Sequence, residues 1–230
     1  MKSSLKRLLL IGSACLLMIF VVSCVQIPTD GINMPVLKAK VRIINTAADL
    51  GSLDVKFDGK SVGTLAPGKG TNYQTVNAGR YAFQAGSEAA DTLAVTTDFQ
   101  GTYFVATKNA ANSSRFLRLQ EHLLYKPVPS DQMAIFVAQM CPDASFKVDL
   151  VKTKTADGST TTETLSASLA FARTVGKHFP GTGYNYTVRF LDSANNEWYK
   201  MEISPVAGAG NLVVLYNPKA SLSAQKFYID

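Results

Sequence analysis

Polar and apolar residues alternate with a period of two through much of the chain after Lys38. Leu53, Val55 and Phe57 alternate with Asp54 and Lys56, which is the pattern of a strand with one buried face. Asp58-Gly59 follows and predicts a tight hairpin turn. More short strands are predicted around Tyr73–Val76, Tyr81–Gln84, Leu93–Thr97, Thr102–Thr107 and Arg115–Leu119. The gaps hold turn formers, notably Ala66-Pro67-Gly68 and Asn77-Ala78-Gly79. No convincing amphipathic helix interrupts them. Glu121–Asp131, with Pro127 and Pro129, reads as a linker that Leu123, Leu124 and Tyr125 would stiffen by packing on a domain.

Beyond the linker the pattern starts again. Val41-Arg42-Ile43-Ile44 lies over Ala134-Ile135-Phe136-Val137, and continuing without a gap brings Ser52 over Ser145, Val55 over Val148 and Phe57 over Leu150. Three later landmarks keep the same order. Gly79 before Tyr81 and Phe83 matches Gly183 before Tyr184, Tyr186 and Val188; Gly101–Val105 matches Gly210–Val214; and Arg115–Leu117 matches Lys226–Tyr228. These matches predict two tandem units, the second with a longer hairpin around Lys152–Thr162. At about 85 to 100 residues and roughly seven strands, each has the size and texture of an immunoglobulin-like sandwich. The expected fold is therefore all-β, with two tandem immunoglobulin-like β-sandwich domains at residues 38–120 and 132–230 around a linker at 121–131. Without a Cys…Trp…Cys pattern, an antibody-type domain is excluded.

The amino terminus follows different rules. Lys2, Lys6 and Arg7 precede Leu8–Val22, an apolar run of about 15 residues that suits an export signal and is short for a membrane span. Val21-Val22-Ser23-Cys24 resembles the lipobox of bacterial lipoprotein signals, in which the cysteine is lipid-modified and becomes the first mature residue. Cys15 is a poorer match, with only half a hydrophobic run before it. An uncleaved anchor or an ordinary cleaved signal would also export the body. The expectation is a signal peptide at 1–23 and a lipidated tether at 24–37, loosened by Pro28, Gly31 and Pro35. Val25 stands where aspartate marks inner-membrane retention in enterobacterial lipoproteins, and residues 25–29 lack the lysine-then-acidic start of Bacteroidetes surface-export signals. The resemblance thus implies a bacterial cell-envelope location, lipid-anchored on the outer membrane and facing the periplasm.

Removing the signal changes charge and cysteine usage. Of 230 residues, 207 remain, and 23 basic residues fall to 20 against 17 acidic ones, a balance of +3 instead of +6. Scattered charge of that size argues against nucleic acid as a partner. Cys141 is the one cysteine left over, so no disulfide framework forms within the mature chain. It follows the apolar run Ala134–Val137 and has no nearby histidine to activate it, so an inert, half-buried thiol is expected.

Asn45-Thr46-Ala47-Ala48-Asp49, then Leu53-Asp54-Val55-Lys56-Phe57-Asp58-Gly59, then Leu65-Ala66-Pro67-Gly68 and Ala78-Gly79-Arg80-Tyr81 resemble the domain-of-unknown-function 4397 family. The corner departs from the family pattern in lacking a proline, and Asn77 replaces a later one. The second unit matches more faintly, with Met140-Cys141-Pro142-Asp143-Ala144 at its corner. The resemblance implies envelope β-sandwich domains over most of the mature chain and brings no activity or functional residue.

Chemistry-bearing motifs are weak. Gly63–Lys69 imitates a GxxxxGK phosphate loop, but Gly70 replaces the metal-binding hydroxyl and a strand follows where a helix is needed, so a turn is expected. His122 and His178 lack metal-ligand neighbours and read as solvated loop residues. Asp192–Glu197 has oxygen ligands without calcium-loop spacing and reads as a hairpin tip. Asp91-Thr92-Leu93 and Asp192-Ser193-Ala194 resemble the short O-glycosylation motif of Bacteroidetes periplasmic proteins. Trp198, Tyr199 and Tyr184 could contact a ligand by stacking on sugar rings, although an alternating run such as Tyr184, Tyr186, Val188 and Phe190 is more often a sheet's inner face. No cofactor is expected. The function expected is a non-catalytic binding or scaffolding lipoprotein held to the membrane through Cys24, its partner an envelope protein; the alternative is a glycan-binding accessory lipoprotein using the aromatics of the second domain.

Overall fold

The computed structural model describes residues 37–96, 100–108, 113–118 and 128–229. The proposed signal and tether up to Val36, Cys24 with them, and residues 121–127 of the linker, including His122, lie outside the described residues.

Among the described residues sixteen strands account for nearly all of the regular structure. The first sandwich holds β1 (Lys38–Asn45), β2 (Leu53–Phe57), β3 (Lys60–Leu65), β4 (Gln74–Asn77), β5 (Gly79–Ala85), β6 (Asp91–Val95), β7 (Gln100–Val105) and β8 (Phe116–Arg118). The second holds β9 (Gln132–Gln139), β10 (Phe146–Lys154), β11 (Thr160–Leu169), β12 (Arg173–Pro180), β13 (Tyr184–Leu191), β14 (Glu197–Ile203), β15 (Gly210–Tyr216) and β16 (Ser223–Ile229). Each sandwich thus has eight strands where about seven were expected from sandwiches of this type. Among the described residues the helical content is a single 3-10 turn at Lys219–Ser221.

Strand order is the same in both sandwiches. One sheet runs β4-β1-β7-β8 and its counterpart β12-β9-β15-β16; the other runs β3-β2-β5-β6 and its counterpart β11-β10-β13-β14. The central pairs β1–β7 and β9–β15 are parallel, and the remaining pairs are antiparallel. Asp58 and Gly59, both at positive φ, close the β2–β3 hairpin as their sequence predicts.

Among the described residues three apolar cores stack through the body. Val41, Ile43, Val55, Phe83, Tyr103 and Val105 fill the first sandwich. Ile135, Val137, Val148, Leu150, Tyr186, Phe190 and Val213 fill the second. The third core joins Ile44, Phe104 and Ala106 of the first sandwich to Ala134, Phe136, Ala138, Leu212 and Val214 of the second. This third core is a seam between the outer faces of the β4-β1-β7-β8 and β12-β9-β15-β16 sheets, so the body is a stack of four sheets. Burying both faces of β1, β7, β9 and β15 removes apolar surface from water twice over, at roughly 25 cal/mol per Å². From Leu37 onward the chain accordingly forms one compact unit.

The buried faces correct the sequence superposition. Val55 and Val148 both point into their sandwich cores, as the superposition has them. Val41 points into the first core, however, while Ala134 points into the seam, and Ile135 is the residue in the equivalent place. The corner between the first two strands is one residue shorter in the second sandwich. A one-residue slip exchanges the faces of a whole strand.

Candidate functional site

The corners that follow β1 and β9 are each tied by a buried amide. Asn45 Oδ1 accepts from the Ala47 N–H, and its Nδ2 donates to the carbonyls of Gly51 and Leu65 at 2.9 and 2.8 Å. Gln139 Oε1 accepts from the Cys141 N–H, and its Nε2 donates to the carbonyls of Cys141 and Ala144. With both ends of each amide satisfied, these polar groups cost little to bury. Cys141 is wholly buried, deeper than expected, and its Sγ lies 3.1 Å from Asp143 Oδ1. Burial first, then the Asp143 carboxylate, pushes the thiol up to about 12, so the sulfur is not a nucleophile near neutral pH.

The three candidate aromatics do not form one surface. Trp198 is 42% exposed, while its neighbour Tyr199 points inward and packs on the second core; adjacent strand residues face opposite ways. Tyr184 also packs on that core, its ring 6.2 Å from buried Tyr186. Trp198 donates from Nε1 to Asp192 Oδ2 at 3.0 Å, and the Lys219 ammonium sits 4.0 Å from its ring centroid. The sugar platform read from Tyr184, Trp198 and Tyr199 is therefore split between core and surface.

Asp192 closes the β13–β14 hairpin by accepting from the side chains of Trp198 and Asn196 and from the N–H groups of Ala194 and Asn196. The Trp198 bond first, and the Asn196 bonds next, hold its carboxyl well below the usual carboxylate range. An acid already surrounded by donors is a hairpin latch, not a calcium ligand. Among the described residues no three His, Cys, Asp or Glu side chains gather as metal ligands. His178 lies in β12, paired with Ala134 in β9, and not in a loop. Thr92 and Ser193 of the two glycosylation-like tripeptides are exposed.

The GxxxxGK segment has a structural use. Gly68 sits at φ +76° directly beneath the Tyr216 phenol of the second sandwich, where a methyl group would overlap the ring's hydroxyl. A methyl on Gly70 would meet Ile44 at 2.8 Å and the Phe227 ring at 3.2 Å. In this loop the two sandwiches are in close contact.

Beside that contact the seam opens into a cleft of ≈ 470 Å³, with β1, the 70–73 segment and β4 on one wall and β16 on the other. Lys40, Arg42 and Lys226 line it together with Tyr73 and Tyr228, and among the described residues no carboxylate does. Arg42, 4% exposed, lies between the Tyr73 and Phe227 rings at 4.5 and 5.4 Å. Its Nε and Nη2 donate to Thr102 Oγ1 at 3.2 and 3.0 Å, and its Nη1 donates to the Tyr228 carbonyl at 2.6 Å. The guanidinium therefore clamps β16 onto β1 and sets the width of the cleft. The sequence reading missed these residues. Their signal was present in Lys38-Ala39-Lys40-Val41-Arg42-Ile43, which puts three cations on one face of a strand and apolar residues on the other.

Solved structures with some likeness include a candidate cell adhesion protein from Bacteroides uniformis (12% identity, 87% of this chain and 98% of that one, TM-score 0.32). Others are the Bacillus anthracis TIE protein (9%, 79% and 34%, 0.25) and a candidate adhesin from Bacteroides ovatus (9%, 77% and 88%, 0.23). At such identities and TM-scores, none of the three bears on what this chain binds. No curated protein matches the sequence. The family match is a single one, running through the first sandwich and β9 into β10 and leaving the rest of the second sandwich unmatched, where two copies were expected. Residues 39–151 match the model of the DUF4397 family, a domain of unknown function.

Proposed function

We propose that the chain is a non-catalytic binding module of the bacterial cell envelope, carried by lipid on Cys24 at the outer membrane and facing the periplasm. One observation carries the binding role: the seam fuses two sandwiches into one body and leaves a cationic, aromatic cleft that both of them build. A rigid, largely pre-formed concavity of this kind binds with little ordering cost. The chemistry-bearing side chains elsewhere serve the fold, Cys141 in its corner and Asp192 in its hairpin.

Replacing Cys24 by Ser tests the anchor. The wild-type chain is expected to incorporate labelled fatty acid and to sediment with membranes, and the variant to do neither; a variant that still fractionates with outer membrane would remove Cys24 from the account. A photocrosslinker at Thr75, on the cleft wall, is expected to capture an envelope component in cells. The same group at Thr164, on β11 of the outermost sheet, is expected to capture none.

A further inference from the structure

Resting on the binding-module reading, we infer that the seam cleft takes an acidic oligosaccharide, a chain of pyranose rings bearing carboxylates. Charge supplies the first part of the inference. Lys40 is exposed, the Lys226 ammonium stands 5.1 Å from the Tyr228 ring centroid, and Arg42 adds its field from the floor. Three cations without a lining carboxylate among the described residues concentrate positive potential in a concave, low-dielectric space, which draws anions in.

The walls supply the second part. Tyr228 is 56% exposed beside the cleft, a flat apolar surface that matches the C–H face of a pyranose and loses little entropy when a ligand settles on it. Asn72 and Thr75 are exposed on the opposite wall. An amide and a hydroxyl each both donate and accept, which suits sugar hydroxyls better than the acceptor-only oxygens of an acidic peptide. The volume of ≈ 470 Å³ lies within the ordinary range for small-ligand sites and accommodates a short stretch of sugar. Nucleic acid would need a longer basic track than these three side chains provide.

The test is isothermal titration of the full-length chain in detergent with tetragalacturonate, tetramannuronate, a neutral tetragalactoside and hexaglutamate. At least one of the two acidic tetrasaccharides is expected to bind, with the neutral sugar and the peptide about tenfold or more weaker. Raising NaCl from about 0.05 to about 0.5 M is expected to weaken the acidic sugar. The double variant Lys40→Gln/Lys226→Gln should cost about tenfold and flatten that salt dependence, and Tyr228→Ala should cost about fivefold, at unchanged circular dichroism. Binding of the peptide or the neutral sugar as tight as that of the acidic sugar, indifference to the lysine and tyrosine variants, or no sugar binding at all would each overturn the inference. If no sugar binds and the Thr75 crosslinker still captures a protein, the acidic-glycan inference alone falls. If both fail, the binding role of the cleft falls with it.

Discussion

Gly68 couples backbone conformation to the contact between sandwiches. Alanine there must adopt φ +76°, which costs an L-residue about 1–2 kcal/mol, and must also displace the Tyr216 ring, an overpacking cost of about 1–3 kcal/mol. Gly68→Ala is therefore expected to lower unfolding free energy by about 2–5 kcal/mol in denaturant titrations. In a Tyr216→Ala background only the backbone part should remain, so the two substitutions are non-additive; full additivity would show that the loop does not bear on the phenol. Two buried groups set a different response, to alkali. Cys141 and Tyr186 are each pushed up to about 12, both by burial first, from ordinary values of 9.0 and 10.0. Below about pH 9 folded and unfolded chains keep these protons and the full stability is present; between about pH 9 and 12 the unfolded chain releases them first, so stability falls as pH rises. Stability measured at intervals from about pH 8 to about 11 should decline, and Cys141→Ala should make the decline shallower. A wild-type profile flat or rising over that range would contradict the burial of these groups.

Among the elements, the turn of the β13–β14 hairpin is latched by a side chain with its own reporter. Asp192 accepts from four donor groups, and Trp198 is the one tryptophan in the chain. Asp192→Ala is expected to red-shift tryptophan emission and to open the ring to quencher. Because the folded carboxyl lies far below its ordinary 3.8, the stability it contributes is present above that value and lost only as pH falls beneath it. Wild-type emission should therefore stay level as the pH passes through 3.8 from above, and a titration step there would show the latch to be open. The hairpins were the legible part of the fold. Leu53, Val55 and Phe57 alternate with polar residues because β2 lies in an outermost sheet with one face in water, and Asp58-Gly59 names its own turn. The strands of the seam were harder to place. In β9 every residue after Gln132 is buried, and β7 and β15 are nearly as continuous. A strand buried on both faces reads as an unbroken apolar run and carries no parity, so Val41 could be laid over Ala134 one residue out of step. The same runs pointed to a second buried face, which is the seam itself. The aromatics divide by strand parity: adjacent letters such as Trp198-Tyr199 are neighbours in sequence, while in a strand they belong to opposite sides.

At the scale of the whole molecule the seam determines whether there are two folding units or one. Ile44 and Phe104, neighbours in register on β1 and β7, contribute to the shared core and not to the core of their own sandwich. Arg42 ties the same face to β16, so separating the sandwiches would expose apolar surface and break a charge-assisted hydrogen bond together. Neither sandwich can then lose its structure without uncovering the other's outer sheet, and calorimetry of the wild-type chain should show a single cooperative transition. Phe104, 1% exposed, is the side chain on which to test this: Phe104→Ala leaves both sandwich cores intact and should cost about 3–5 kcal/mol. Ile44→Asp goes further, placing an unpaired charge in the seam, and is expected to divide the calorimetric peak in two as the sandwiches come to melt separately. The cleft would be lost at the same time, since β16 forms one of its walls and β1 and β4 the other. Two peaks in the wild-type chain, or a single peak that survives Ile44→Asp, would mean that the seam does not couple the sandwiches. A cleft between two such independently moving bodies would not be a pre-formed site.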